Sequence, residues 1–129
     1  MSFWTEVTGV IKFDSIDADE LKAVKDALKN SPEGSEGNLE VDISETASKH
    51  EGLVTLTALI TSALRSYGDE DHHIPDLIAW IQEIMDLGSF CCTDSMVIKI
   101  NNQDSQLVLR ESVCESPSRL LIVEELELT

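Results

Sequence analysis

Between Gly52 and Tyr67 the chain reads GLVTLTALITSALRSY, its longest nearly uncharged stretch, and this run most constrains the fold. Val54, Thr55, Thr57, Ile60 and Thr61 are all β-branched. Branching at Cβ costs side-chain freedom in a helix and suits a pleated surface. Alternation puts Val54, Leu56, Ala58, Ile60 and Leu64 on one strand face, with Thr55, Thr57, Leu59 and Thr61 on the other. Leu53, Leu56, Ile60 and Leu64 also recur at helical spacing, so a helix competes over so short a run. A central strand is the expected form.

Other segments supply its partners. In FWTEVTGVIKF, residues 3–13, Phe3, Val7, Ile11 and Phe13 share one face, opposite Trp4, Glu6, Thr8, Val10 and Lys12. Gly9 falls on the inward face, where a glycine marks a bulge or a close backbone approach. In NLEVDIS, Leu39, Val41 and Ile43 alternate with Glu40, Asp42 and Ser44. The polar run ETASKHEG then makes this strand and the Gly52–Tyr67 strand an antiparallel pair with a long connection. Later, MVIKI and QLVLR flank NNQD as a hairpin with a turn of about four residues. After Pro117, RLLIVEELELT reads as a terminal or edge strand, with Glu124, Glu125 and Glu127 discouraging further pairing. A helix for residues 119–129 stays open.

Two helices are expected. Asp17 and Glu20 have capping-box spacing, Ile16 and Leu21 fit a hydrophobic staple, and Leu21, Val24, Ala27 and Leu28 form the apolar stripe. Pro32 limits this helix to about Asn30. Pro75 suits the first position of the second helix, where its missing amide costs nothing. Its stripe is Ile74, Leu77, Ile78, Ile81 and Met85, widened by Trp80, Ile84 and Leu87, with Gly88 as the expected C-cap. The SPEGSEG segment between first helix and next strand reads as a flexible loop. It lacks the adjacent lysine–hydroxyl pattern of a phosphate-binding loop, and Glu33 and Glu36 would repel an anion.

The order β-α-β-β-α-β plus one or two further strands predicts one α+β domain over 1–129. Its expected form is ferredoxin-like βαββαβ with an extra C-terminal strand or hairpin, two helices packed on one face of an antiparallel sheet. The length is near the common domain size.

Charge is the compositional outlier. Twenty-five acids against nine bases give a formal charge of −16 and a pI near 4.2. From Asp69 onward thirteen acids face three bases. Such a surface repels nucleic acid and anionic membranes and attracts basic proteins or cations. No run approaches the ~20 apolar residues of a membrane span, and MSFWTEV lacks the pattern of a secretory signal. Cys91, Cys92 and Cys114 are odd in number, which fits a reducing cytoplasm better than a disulfide framework.

Chemistry-bearing clusters are sparse. Asp69, Glu70, Asp71, His72 and His73, with Asp76 nearby, offer oxygen and imidazole donors to a cation, but adjacent histidines diverge, no regular spacing closes a ligand set, and a solvated acidic loop is the favoured reading. The cysteines have no C-x-x-C spacing for zinc. No nucleophile elbow is present, and the carboxylates are too many to single out a catalytic pair. No catalytic residue, metal ligand or cofactor is therefore assigned.

FWTEVTGVI at the start, GSEG before a short acidic strand, and the late hairpin around MVIKI resemble small bacteriophage proteins of uncharacterised role. The resemblance implies a ferredoxin-like fold and a part in phage–host interaction, in the cytoplasm of a bacterial host. It carries no functional residues across. The expected function is an acidic, non-enzymatic interaction protein, in that setting a phage inhibitor binding a basic surface of a host protein. The alternatives are a self-assembling structural module with Trp4 or Trp80 in its contact, and a metal protein or enzyme built on Asp69–His73. The expected partner is a basic protein surface or a second copy, with no direct nucleic-acid or membrane binding. If both helices cover the Leu56/Ile60 side, Thr55, Thr57 and Thr61 line the open side. Those threonines, Glu40, Asp42 and the Asp69–His73 loop are the candidate interaction surface.

Overall fold

The computed structural model describes residues 4–31, 33–34, 37–65, 73–88, 94–101, 105–111 and 120–127. The uncharged stretch forms strand β5 (Val54–Arg65), preceded by β1 (Trp4–Ile16), helix α1 (Ala18–Lys29), β2 (Glu33–Gly34), β3 (Gly37–Asn38) and β4 (Val41–Ala47). After it come α2 (His73–Leu87), β6 (Ser95–Asn101), β7 (Ser105–Glu111) and β8 (Leu120–Glu127).

Six strands form one antiparallel sheet in the order β4-β5-β1-β6-β7-β8. β5 lies between β4 and β1, which is the central position expected for its β-branched run. β1 and β4 run in the same direction with β5 between them, and α1 lies in the connection. β5 and β6 likewise flank β1, with α2 in the connection. This α+β arrangement is consistent with a ferredoxin-like layout. The terminal segment is an edge strand, which removes its helical alternative.

Alternation sorts the sheet into two faces. Val7, Ile11, Phe13, Leu56, Ala58, Ile60, Met96, Ile98, Ile100 and Leu109 are all buried on one of them. Val24 and Leu28 of α1 and Leu77, Trp80, Ile81, Ile84 and Met85 of α2 join them in one core. Each such aliphatic side chain contributes about 1.5–3 kcal/mol on burial. Trp80 is sandwiched between the helices, and its indole N–H donates to the Ala27 carbonyl at 2.8 Å. Trp80 is thus unavailable for the self-association contact anticipated for it. Leu87, expected to widen the apolar stripe, is 37% exposed at the helix end.

Local signals explain the helix ends. The Glu20 amide donates to Asp17 Oδ1 at 2.8 Å, and Glu20 Oε1 accepts from the Asp17 amide at 3.4 Å, completing the capping box. Asn30 closes α1, its side-chain amide donating to the Asp26 carbonyl. α2 starts at His73, so Pro75 is its third residue and not its first as expected. Proline is tolerated there because the first four amides of a helix have no intrahelical acceptor. SPEGSEG is not simply a loop. It carries the paired β2 and β3, and the buried Ser31 hydroxyl accepts a bond from the Leu39 amide at 3.0 Å. β4 runs on to Ala47, so the expected long connection to β5 shrinks to a turn through Gly52 (φ 82°).

Two glycines are dictated by neighbours. A Cβ on Gly9 would lie 2.3 Å from the Val97 carbonyl oxygen and 2.7 Å from Ile98 Cα, the close backbone approach anticipated from its inward position. A Cβ on Gly88 would lie 2.3 Å from the buried Phe13 ring. Gly88 is therefore required by packing, and its φ lies outside the left-handed region of a glycine C-cap.

Gly9→Ala is expected to cost about 2–3 kcal/mol, since the two nearest obstacles are β6 backbone atoms that no rotamer change can clear. Urea denaturation measures the loss. An unchanged midpoint would mean that β1 and β6 are not packed this closely.

Candidate interaction surface

The sheet face opposite the helices carries the residues left over by the same alternation. Its middle row follows from the pairing of Asp42 with Leu59, Leu59 with Val10, Val10 with Val97, and Val97 with Arg110. Strand spacing of about 4.8 Å makes this row about 19 Å long. Leu59 is 44% and Val97 38% exposed, and Val10 between them is half-buried. The row is an apolar seam with an exposed carboxylate at one end and an exposed guanidinium at the other.

Hydroxyls and amines flank the seam. On one side Thr61, Thr8 and Lys99 are paired in sequence; on the other, Ser44, Thr57, Lys12 and Ser95. Glu40 extends the first row by accepting the Thr61 amide at its carbonyl, and its own amide donates to Ser62 Oγ at 2.6 Å. Carboxylates Glu40 and Asp42 thus sit toward the β4 edge, while Lys99 and Arg110 sit toward β6 and β7. Among the described side chains, the bases on this face are Lys12, Lys99 and Arg110, and Glu6 on β1 adds a third carboxylate to Glu40 and Asp42.

Thr57 and Thr61 occupy the open face as expected. Thr55 differs. Between Phe13 and Ile16 the β1–β5 register shifts, leaving an extra residue on β1. The Thr55 hydroxyl donates to the Asp14 carbonyl at 2.7 Å within this bulge. Asp94 Oδ1 accepts the Asp14 amide at 2.7 Å, and the Ser15 and Ser48 hydroxyls bond each other. Thr55 and Asp94 are committed to holding the irregular end of the strand.

The Asp69–His73 segment is divided. His73 opens α2 rather than ending a loop, while Asp69, Glu70, Asp71 and His72 lie outside the described residues, as do all three cysteines. Among the described residues no group of three His, Cys, Asp or Glu side chains is placed to hold a metal ion. No described helix is long and apolar enough to cross a membrane. Sequence reasoning missed the joining of Leu59, Val10 and Val97 into a seam, and Lys99 and Arg110 beside it. The alternation of MVIKI and QLVLR places these residues on a face, but only the inter-strand register makes them neighbours.

The remaining acids are distributed unevenly over the helices. On α1, Asp19, Glu20 and Asp26 alternate with Lys22, Lys25 and Lys29, and Lys25 Nζ pairs with Glu45 at 2.8 Å. On α2, Asp76, Glu83 and Asp86 are exposed, and the helix contains no lysine or arginine. Positions 76, 83 and 86 recur on one side of a helix.

The chain matches no protein-family model, no curated protein and no solved structure. Fold and surface are therefore read from geometry.

Thr55→Val is expected to cost about 1 kcal/mol by leaving the Asp14 carbonyl short of a donor. Thr61→Val, on the exposed face, should stay within about 0.5 kcal/mol of the parent. Thermal unfolding of the two variants gives the comparison, and equal losses would remove the special role of Thr55 at the bulge.

Proposed function

We propose that the protein is a non-enzymatic interaction module that presents a carboxylate surface to a basic protein. The observation carrying this reading is the solvent side of α2, where Asp76, Glu83 and Asp86 stand without an intervening base in a chain of net charge −16. Helical rise separates Asp76 from Glu83 by about 10 Å and Glu83 from Asp86 by about 4.5 Å along the axis. A file of negative charge at this spacing suits a lysine- or arginine-lined groove. It steers encounter more than it adds affinity. Inhibition of a host protein by occupation of its basic surface is the specific form of this role.

The fold reading belongs to the same proposal. We infer a ferredoxin-like unit made of β1, α1, β4, β5, α2 and β6, lengthened by β7 and β8. The interlocked crossovers over β5 and β1 support it. Such a unit leaves one sheet face free of helices, so the acidic helix layer and the open face are separate surfaces.

Capture of binding proteins on immobilised chain, at about 0.05 and 0.5 M salt, tests the role. Bound proteins should be basic and should be released by salt, because the Debye length falls roughly threefold over that range. The combined variant Asp76→Asn, Glu83→Gln and Asp86→Asn should lose them while keeping its fold by circular dichroism. Retention by the neutralised variant would overturn the reading.

A further inference from the structure

We propose that the open sheet face is a self-association surface that takes a second copy of this chain. The middle row reads carboxylate, apolar, apolar, apolar, guanidinium across the five strands from Asp42 to Arg110. That order is complementary to its own reverse. A two-fold axis in the interface, inclined by about 15° to β1 (half the angle of aligned sheet packing) and passing Val10, brings the two faces together with strand order reversed. Asp42 then faces Arg110 of the second copy, Leu59 faces its Val97, and Val10 faces its Val10. The Asp42–Arg110 and Leu59–Val97 pairings each occur twice and Val10 meets its own copy once, on the axis, as an isologous contact requires.

The size suits a weak pair. With the axis on β1, β4 to β7 overlap and β8 lies outside the contact; five strands at about 4.8 Å and seven residues at about 3.4 Å make a shared face of roughly 24 by 24 Å. Stable interfaces of standard size take about 800 Å² from each partner, so this overlap falls just below that class, as a reversible association requires. Aligned sheets of two copies pack about 10 Å apart at about −30°, which concentrates contact at the middle row. An acidic partner is the competing occupant, since three bases project from this face. Lys12 separates the two cases. It sits on β1, near the proposed axis, and meets its own copy across the interface, so its charge opposes the pair. Toward an acidic partner the same charge is attractive.

Sedimentation equilibrium of the full chain at 0.15 M salt, from micromolar to millimolar concentration, provides the test. The expected result is a reversible shift from the 14.3 kDa chain toward twice that mass. Leu59→Glu should weaken association at least tenfold with an unchanged circular dichroism spectrum, because Leu59 is already 44% exposed in the single chain. Asp42→Arg and Arg110→Asp should each weaken it, and the two combined should restore it. Lys12→Ser should tighten it. A chain that stays monomeric at millimolar concentration overturns the proposal. So does a dimer indifferent to Leu59→Glu, which places the contact elsewhere, or one weakened by Lys12→Ser. This outcome is independent of the α2 carboxylates, whose neutralisation should not abolish the dimer.

Discussion

The pairing of β1 with β5 is the interaction on which the remaining structure depends. Its ladder runs from Trp4 opposite Arg65 to Phe13 opposite Leu56, then resumes past the bulge at Ile16 opposite Val54. No local turn joins these strands, so hydrophobic alternation must fix their register. A slip by one residue would move Val7, Ile11, Leu56 and Ile60 from core to solvent. Both strands carry apolar residues at every described inward position except Thr5, Gly9 and Ser62, which makes that slip costly. β4 and β6 then add to the outer edges of this pair, and the helices close over its inner face.

The open face is a consequence of the same pairing. Each strand that contributes an aliphatic side chain inward contributes an outward residue to the opposite surface, and the outward set here is mixed. Hydroxyl and charged side chains dominate, but Leu59 and Val97 interrupt them at adjacent positions on either side of Val10. Two exposed aliphatic side chains would be unremarkable if scattered. Their alignment through the β5–β1–β6 register makes them a seam.

Sequence reasoning reached the elements more readily than their joints. The β-branched run identified β5, and the Asp17–Glu20 spacing located α1 nearly to the residue, because both signals are local. Helix-end conformation is the local explanation that spacing offers for Gly88, whereas the Phe13 ring, seventy-five positions away in the chain, requires it. Trp80 looked available for contact because its position on the helix is lateral, yet Ala27 supplies a carbonyl for its indole. Asp94 and Thr55 show the same limitation. Their partners at the Asp14–Ser15 bulge exist only once strands distant in sequence have been brought into register. The acid–base polarity of the open face was hidden for that reason too, since no segment alone contains both Asp42 and Arg110.

A chain of net charge −16 is an unpromising candidate for pairing with itself, and the position of the charges decides the matter. In a face-to-face pair the α2 carboxylates of the two copies are separated by two helix layers and two sheets. Adjacent layers lie about 10 Å apart, and the Debye length at physiological salt is about 8 Å, so repulsion between those stripes is largely screened. The Asp42 and Arg110 side chains, by contrast, meet within a few ångströms beside an apolar seam that excludes water. Local complementarity therefore governs the approach, while Lys12 and the remaining net charge keep it weak and reversible. The two α2 stripes would then point outward on opposite sides of the pair. A basic partner with repeated sites would meet two acidic surfaces on one particle, and the second contact would gain from the effective concentration set by the first.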